Sequence, residues 1–316
     1  MNTSKRTKRA PKLLLQAPRG MRDILPKEQP LWTRVRKTAI EVAEYYNFER
    51  IDTPLLEHAD IFERSIGPAT DLVEKQMYIV KSGSERLALR PEGTAGVARA
   101  YAEHGLAYAG SPLKLYYEGQ MFRHESPQAG RLRELRQFGL EILSGENDPL
   151  YDAQVILAGF WIIEALKIKD AVIRLNSIGC RVCRSSFTRK LRDYYRAKIK
   201  LLCADCRRRF AVSPLRLLDC KNECCAAFKG GAPETVDSLC SFCSRHFKDV
   251  LEFLDELALP YALDPVLVRG LDYYTKTVFE FFTADSLALG GGGRYDYLIG
   301  ILSGRDTPAV GLALGL

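Results

Sequence analysis

All nine cysteines of this 316-residue chain fall between Cys180 and Cys243, and the rest of the chain has none. Such clustering argues against disulfide stapling in an oxidising compartment, where cysteines are spread through the fold. Several cysteines are spaced as Cys-x-x-Cys, which is typical of zinc sites because two thiolates three residues apart can bind one tetrahedral ion. The sequence therefore predicts that structural Zn²⁺ binds in this segment.

Eight of the cysteines can be divided into two four-thiolate sites, which leaves one over. The predicted ligands are Cys180, Cys183, Cys203, Cys206, Cys220, Cys224, Cys240 and Cys243. The first four form two Cys-x-x-Cys pairs 19 residues apart, a spacing that favours one shared site. Crossed pairing of the half-sites, a choice of Cys225 over Cys224, a single zinc ion, or no metal all stay open. The neighbouring His246 is predicted to be an exposed helix residue and not a ligand.

A second group of polar residues lies on one predicted strand. Side chains alternate along a strand, so Gln137, Gly139 and Glu141 share one face while the residues between them are apolar. An amide and a carboxylate separated by glycine can form the floor of a polar pocket, although a solvated sheet face has the same pattern. Arg123 ends the preceding predicted strand, where a guanidinium group could bind phosphate oxygens in bidentate fashion.

The glycine run at residues 290–293 also invites comparison with phosphate-binding loops. It lacks the G-x-x-x-x-G-K-[ST] pattern, and no G-x-G-x-x-G follows a strand. Neither a P-loop nor a dinucleotide-binding fold is therefore predicted.

The elements that position these residues predict an antiparallel α+β core. Strand-like segments at 114–123 and 133–143 flank a loop with Pro and Gly and predict a long hairpin. Helical spacing follows Pro30, and Asp148-Pro149 predicts the start of a helix that runs to about Lys167. Further strands are predicted at 48–53, 171–175 and 277–282.

The net charge of +7 is unevenly distributed. Residues 1–20 hold six basic residues and no acidic one, residues 180–256 hold sixteen basic and ten acidic, and the remainder is acidic. This pattern favours a polyanionic partner, with nucleic acid the leading candidate. The segment 184–209, with ten basic and two acidic residues, could contact phosphates or form a solvated helix face. The tail at 1–16 is predicted to be disordered, with RNA contact or organellar targeting as alternatives.

No apolar run reaches the roughly 18 residues of a membrane-spanning helix, so no membrane partner is predicted. The clustered thiols indicate a reducing compartment, and we expect a cytoplasmic location.

Taken in order, these motifs resemble those of histidyl-tRNA synthetases, which are class II aminoacyl-tRNA synthetases. The resemblance covers residues 17–316. The segments that carry it are 18–26, 48–54, 90–94, 122–141, 267–274 and 291–296. It implies a class II antiparallel sheet flanked by helices, with a catalytic core at 17–178 and 259–316. A Cys-rich, mainly helical insertion domain is expected at 179–258.

The resemblance also implies an activity and the residues that perform it. Histidine and ATP would give histidyl-adenylate, and the histidyl group would pass to the 3′ end of its tRNA. The implied histidine-binding residues are Glu92, Gly93, Thr94, Gln137, Glu141, Tyr273 and Tyr274. The implied ATP-binding residues are Arg123, Arg131, Arg269, Gly291, Gly292, Gly293 and Arg294. Arg269 and Arg123 would be catalytic, stabilising charge on the α-phosphate together with Mg²⁺. A homodimer is implied through the segment at 48–54.

The chain stops at Leu316, where the family's third motif leads into an arginine that binds the γ-phosphate. A C-terminal anticodon-binding domain would follow, so a fragment or a truncated reading frame is expected, with weakened ATP activation by this polypeptide alone. Two alternatives stay open. One is a paralogue without aminoacylation, such as the regulatory subunit of the first histidine-biosynthesis enzyme, and the other is a zinc-stabilised RNA-binding module.

Overall fold

A computed structural model describes residues 16–68, 70–126 and 132–316. The predicted basic tail, apart from residue 16, and the predicted ATP-binding residue Arg131 lie outside these ranges. Within them, no helix is both long and apolar enough to cross a membrane.

The centre of the molecule is an eight-stranded sheet with a small three-stranded sheet beside it. The strands are β1 (Glu49–Arg50), β2 (Leu56–His58), β3 (Tyr78–Ser82), β4 (Glu85–Leu89), β5 (Leu113–Phe122), β6 (Glu134–Leu143), β7 (Val172–Ser177), β8 (Tyr261–Leu263), β9 (Thr275–Phe282), β10 (Ala288–Arg294) and β11 (Ala309–Gly315). The large sheet has the order β1-β5-β6-β11-β10-β9-β7-β8, and the small one β2-β4-β3. Only the outermost pairs of the large sheet, β1/β5 and β7/β8, are parallel. The predicted antiparallel α+β class is confirmed.

Helices cover both faces of the large sheet. They are α1 (Gln29–Tyr45), α2 (Ala59–Ile66), α3 (Thr94–Glu103), α4 (Pro149–Ala165), α5 (Arg181–Arg196), α6 (Ala204–Val212), α7 (Glu223–Ala226), α8 (Ser241–Glu256) and α9 (Leu298–Ser303). Shorter turns occupy Leu72–Gln76, Leu106–Tyr108, Ile199–Leu201, Pro214–Leu217 and Val236–Ser238.

The predicted hairpin is confirmed almost to the residue. Strands β5 and β6 pair in antiparallel register from Leu113 opposite Leu143 to Phe122 opposite Glu134. The strand predicted at 48–53 is shorter than expected, because only β1 has the pairing of a strand. Beyond it, Ile51 still donates its backbone N–H to a carbonyl of β5, after which proline, lacking an N–H, cannot continue the ladder.

One face of the large sheet packs on α1, α4 and α8. The apolar residues of β6 predicted to point inward, Phe138, Leu140 and Ile142, are fully buried in this layer. Helix α4 begins as predicted, with the Asp148 carboxylate accepting a hydrogen bond from the backbone N–H of Leu150 at 2.9 Å. The opposite face of β6 is therefore free to carry polar side chains.

The chain between β7 and β8 is largely helical and holds all nine cysteines. It is not packed separately from the sheet. Insertion residues such as Leu217 and Cys220 share one apolar cluster with Leu72 and Val268 of the core, and α8 returns to pack against α4. The boundaries at 179 and 258 stay a prediction.

Candidate active site

A buried carboxylate, Glu92, stands at the start of α3. Its two oxygens accept the backbone N–H groups of Thr94 at 2.8 Å and Ala95 at 2.9 Å, groups that the first turn of a helix leaves without intrahelical partners. Burial raises the pKa of Glu92, while these two hydrogen bonds oppose the rise. The residue between Glu92 and Thr94 must be glycine, because a Cβ at Gly93 would lie 2.3 Å from the ring of Tyr117.

Glu141 of β6 is fully buried and faces the same space. Its Oε1 accepts a 2.6 Å hydrogen bond from Thr94 Oγ1, and its Oε2 accepts a 2.5 Å hydrogen bond from the hydroxyl of Tyr295. Burial raises the pKa of Glu141 to about 8, although both hydrogen bonds favour the carboxylate. Glu92 and Glu141, both predicted to bind histidine, are thus linked through Thr94.

Three tyrosines surround these carboxyl groups. Tyr273 donates to Glu92 Oε2 at 3.4 Å, and its ring lies 4.6 Å from that of Tyr274 and 5.8 Å from that of Tyr295. Burial raises the pKa of Tyr273 well above its ordinary value, so the hydroxyl stays a hydrogen-bond donor at neutral pH. The arrangement suits a small ligand that is rich in N–H groups.

Gln137 contributes an acceptor without a partner. Its side chain is 8% exposed, and its Oε1 accepts no hydrogen bond from any residue that the structure describes. Buried polar atoms are normally paired, so an orphaned oxygen of this kind marks a place for a ligand donor. An ammonium group would satisfy it.

Two residues of this group were missed by sequence reasoning. Tyr295 binds Glu141 directly, and the buried ring of Tyr117 lies against Gly139 as well as Gly93, since a Cβ at Gly139 would be 2.1 Å from it. The signal for Tyr117 was strand alternation on β5, whose register places Tyr117 opposite Gly139.

A large cleft of about 1020 Å³ lies between the core and the insertion, and its lining on β6 extends to Arg136, one residue before Gln137. The residues that line it include Arg123, Arg136, Arg216, Cys220, Asn222 and Arg269. The two arginines predicted to be catalytic, Arg123 and Arg269, therefore share one cavity. Arg123 is oriented by a 2.8 Å hydrogen bond from its Nε to the carbonyl of Pro91. Arg269 pairs through Nη1 with Glu280 at 3.0 Å, and its buried Nε has no partner within the described ranges.

The glycine run at 290–293 lies within strand β10. A Cβ at Gly291 would lie 3.0 Å from Arg269 Nη1, and one at Gly293 would lie 2.9 Å from the Tyr274 ring. Cβ atoms at Gly291 and Gly293 would also lie 2.6 Å from carbonyl oxygens of β9, and one at Gly292 would lie 1.9 Å from the carbonyl oxygen of Gly311 on β11. All three glycines therefore permit close strand packing, and those at 291 and 293 also leave room for Arg269 and Tyr274.

The prediction that Arg294 binds ATP is corrected by its surroundings. The side chain is 1% exposed, and its Nε donates to Asp152 Oδ2 at 2.9 Å. The same guanidinium group also contacts Asp296 and the carbonyl of Asp148. Because its donors are occupied in the protein interior, Arg294 is left out of the candidate ATP site.

The cysteines form two clusters, and their pairing differs from the favoured prediction. The pair Cys180 and Cys183 lies with Cys240 and Cys243, and not with Cys203 and Cys206. The first thiol cluster is Cys180, Cys183, Cys240 and Cys243, and the second thiol cluster is Cys203, Cys206, Cys220 and Cys225. Within each cluster all sulfur atoms lie within 4.8 Å of one another. Cys224 is exposed and belongs to neither group, so Cys225 replaces it.

The prediction that His246 is exposed is wrong. It is buried on α8, with Nε2 3.5 Å from Asp152 Oδ1, and is neither exposed nor part of either thiol cluster.

Comparison with known proteins assigns this architecture. The family model described as histidyl-tRNA synthetase matches residues 20–185 and 234–316, well over half of the chain. The chain belongs to the histidyl-tRNA synthetase family. Among its relatives are the histidine–tRNA ligases of Moorella thermoacetica, 45% identical over 308 residues, and Dehalococcoides mccartyi, 47% identical over 307 residues. Each comparison covers 96% of this chain and 73% of the relative.

A solved structure agrees with the sequence comparison. The apo histidyl-tRNA synthetase of S. aureus has a TM-score of 0.77 and 33% identity, covering 96% of this chain and 72% of that one. In this chain, the first thiol cluster lies in the residues that the family model matches. The second thiol cluster lies in the stretch 186–233, which the family model does not match.

Proposed function

We propose that this protein is a histidine–tRNA ligase, which activates histidine with ATP and transfers it to the 3′ end of its tRNA. The observation that supports this most strongly is the linkage of two buried carboxyl groups, Glu92 and Glu141, through Thr94, together with a cleft that holds Arg123 and Arg269. One part of the site suits an N–H-rich amino acid, and the other suits a polyphosphate.

Specificity for histidine follows from the buried hydrogen-bonding groups that bound histidine would pair. The α-ammonium group would bind Glu92, Thr94 and Gln137, whose Oε1 is otherwise unpaired among the described residues. The imidazole nitrogens would bind Glu141 and Tyr274. An apolar analogue would leave these buried groups unpaired, and such sites reject analogues that lack the polar group by roughly 10⁴-fold.

The arginines act in the first chemical step. The histidine carboxylate attacks the α-phosphorus of ATP, which is taken as its Mg²⁺ complex, and the bond to pyrophosphate breaks. Negative charge develops on the non-bridging oxygens, and fixed guanidinium groups stabilise it without reorganising. Arg269 is restrained by Glu280 and Arg123 by Pro91, so both are oriented before the substrate arrives. In the second step a ribose hydroxyl of the tRNA attacks the activated carbonyl, and AMP leaves.

The test is ATP–pyrophosphate exchange measured with histidine and with each other amino acid in turn. Exchange that depends on histidine, and that falls at least about 100-fold in Arg269→Gln, is expected. Exchange with a different amino acid would replace the proposed specificity, and histidine binding without exchange would remove the proposed activation step.

We also propose that each thiol cluster holds one structural Zn²⁺. Four sulfurs at about 2.3 Å from a tetrahedral ion lie about 3.8 Å apart. In the first thiol cluster the Sγ atoms of Cys180 and Cys183 are 3.6 Å apart. In the second, the Sγ atoms of Cys203 and Cys220 are 3.8 Å apart. Bound ions would cross-link segments of the insertion that are distant in sequence. Protein purified without chelator should contain about two equivalents of zinc, and less than half an equivalent would exclude the sites.

The partners in this proposal are L-histidine, a histidine-specific tRNA and a second copy of the chain. The tRNA would meet helix α5, whose arginines Arg181, Arg189, Arg192 and Arg196 line one surface groove. A homodimer is supported by exposed apolar residues next to the segment at 48–54, including Leu55 and Leu56. The nine free thiols fit a reducing compartment such as the cytoplasm.

A further inference from the structure

We propose that Arg184 is a positioning residue for the histidine pocket, and that the first thiol cluster holds it in place. Arg184 belongs to the insertion, whereas the backbone it contacts belongs to the catalytic core. The proposal rests on the proposed histidine activation, and it adds a positioning residue and its link to the first thiol cluster.

The contact is made by one guanidinium nitrogen. Arg184 Nη1 donates to the carbonyl oxygen of Asp272 at 3.0 Å and to that of Tyr274 at 3.1 Å. These two carbonyls lie on either side of Tyr273, whose hydroxyl reaches Glu92. A single partly buried cation therefore fixes the peptide units that orient both tyrosines of the pocket.

The segment that receives this contact has little regular structure of its own. Residues 269–274 belong to neither helix nor strand. Besides Arg184, the carbonyl of Ile66 holds this segment by accepting the backbone N–H of Asp272 at 3.0 Å. The side chains of Tyr273 and Arg269 add contacts with Glu92 and Glu280. A segment without a backbone ladder depends on such individual contacts, and Arg184 makes two of them. We therefore expect removal of the Arg184 guanidinium group to move Tyr273 and Tyr274 more than it moves the sheet.

The first thiol cluster sets the position of Arg184. Arg184 directly follows Cys183, and its backbone N–H donates to the carbonyl of Cys180 at 2.9 Å in the first turn of α5. The backbone N–H of Cys240 donates to Cys183 Sγ at 3.1 Å, which joins this turn to the start of α8. Gly179 permits the close approach, since its φ is +65° and a Cβ there would lie 2.4 Å from Cys183 Cβ.

A metal ion on these four sulfurs would clamp the turn from both ends of the insertion. Without the ion, backbone hydrogen bonds and packing would hold the turn less firmly, and the Arg184 guanidinium group would no longer be fixed in position. Histidine binding should weaken in consequence. ATP binding should change little, because Arg123 lies on the β5–β6 hairpin and Arg269, although it belongs to the same segment, is held separately by Glu280.

The experiment measures histidine and ATP affinities by calorimetry on the full chain, with zinc content determined for each protein. Arg184→Gln is expected to weaken histidine binding about tenfold or more and to change ATP affinity less than twofold, with zinc unchanged. The matched control is Arg245→Gln, which removes an exposed arginine two residues after Cys243. It should leave both affinities unchanged.

Two further variants keep the test decisive. Arg184→Lys can reach one carbonyl but not both, so a loss of about threefold is expected even if Arg184→Gln folds poorly. Cys180→Ser should lose one equivalent of zinc and weaken histidine binding, and adding Arg184→Gln to it should cause little further loss, because both changes break the same linkage.

The outcomes separate the inference from the function on which it rests. If the unmodified protein binds no histidine, the proposed function is wrong. If it binds histidine and both Arg184 variants bind it within twofold of the unmodified protein, Arg184 is not a positioning residue. Fully additive losses in the double variant would remove the role of the first thiol cluster.

Discussion

Tyr295 and Glu141 are joined by a 2.5 Å hydrogen bond between two buried side chains, one directly after the end of β10 and the other on β6. Since Thr94 occupies the other carboxyl oxygen, Glu141 has a single orientation before any ligand arrives. Such preorganisation lets binding proceed without the entropic cost of ordering the side chain.

Removing the hydroxyl at Tyr295 should therefore weaken histidine binding. We expect Tyr295→Phe to raise the Kd for histidine about five- to tenfold, because one oxygen of a buried carboxyl group loses its donor. The control is Tyr297→Phe, two residues away, which keeps the ring that stacks under Arg181. Calorimetric titration with histidine would measure both, and equal affinities in the two variants would contradict the role given to Tyr295.

The raised pKa of Glu141 predicts a proton released on histidine binding. With a pKa of about 8 the free carboxyl group is largely protonated at pH 7, whereas an imidazole N–H donor favours the carboxylate. Affinity should rise as the pH increases towards about 8. At pH 7, binding enthalpies in buffers of different ionisation enthalpy should reveal the released proton. A binding enthalpy that is the same in every buffer would contradict the proton release, and Glu141→Gln should abolish the release.

The same shift has a consequence for stability. Because the folded-state pKa lies above the ordinary value of 4.5, the contribution of Glu141 to stability is fully present below about pH 4.5 and is lost as the pH rises through about 8. Chemical unfolding of the ligand-free protein should show this loss relative to Glu141→Gln.

Arg294 should contribute to the stability of the fold and not to ATP binding. Arg294→Met leaves Asp152 buried beside His246 without its principal cation, so we expect about 3–5 kcal/mol of lost unfolding free energy. Adding Asp152→Asn should restore part of it. The exposed Arg305, replaced in the same way, should cost under about 0.5 kcal/mol in the same urea titrations. A stable Arg294→Met protein with weakened ATP binding would reinstate the predicted ATP contact.

Two adjacent cysteines should differ in their effect on zinc. Cys225→Ser removes a ligand of the second thiol cluster and should reduce the zinc content from about two equivalents to about one. Cys224→Ser should leave it at two, because Cys224 is exposed and outside the cluster. Metal analysis of both variants decides which cysteine is the ligand.

The basic face of α5 should contribute to tRNA affinity through phosphate contacts. Replacing Arg189 and Arg196 by Gln should weaken tRNA binding and reduce the slope of log K against log salt by about one for each arginine that binds a phosphate. Replacing the exposed Arg34 and Lys37 of α1 removes the same charge elsewhere. Equal effects of the two pairs would mean that only net charge matters.

Alternation along strands explains both a success and a miss of sequence reasoning. On β6 it put Gln137 and Glu141 on one face and the apolar residues on the other, and the structure buries both polar side chains on that face. Extended to β10, the same rule puts Gly291 and Gly293 on the site face, with Tyr295 following on that side and Arg294 pointing away. Arg294 was assigned from its place in a motif, and neighbouring residues of a strand face opposite layers.

Helical periodicity likewise contained the answer for His246. Cys243, His246, Val250 and Leu254 recur at intervals of three and four residues, and all are buried on α8. The pairing of the cysteines is different in kind. Local spacing fixes which thiols form half-sites, but which half-sites meet depends on how α5 and α8 come together, and that contact joins residues 57 positions apart.

The first thiol cluster joins Cys180 and Cys183, which follow β7, to Cys240 and Cys243 at the start of α8. It closes a loop that also contacts the core where Arg209 and Arg216 meet Asp71. The cost of closing a loop grows by only about 0.6 kcal/mol for each doubling of its length. Parts of this loop away from the core contacts can thus vary in length at small cost, while the cluster keeps Arg184 at the same distance from the catalytic sheet.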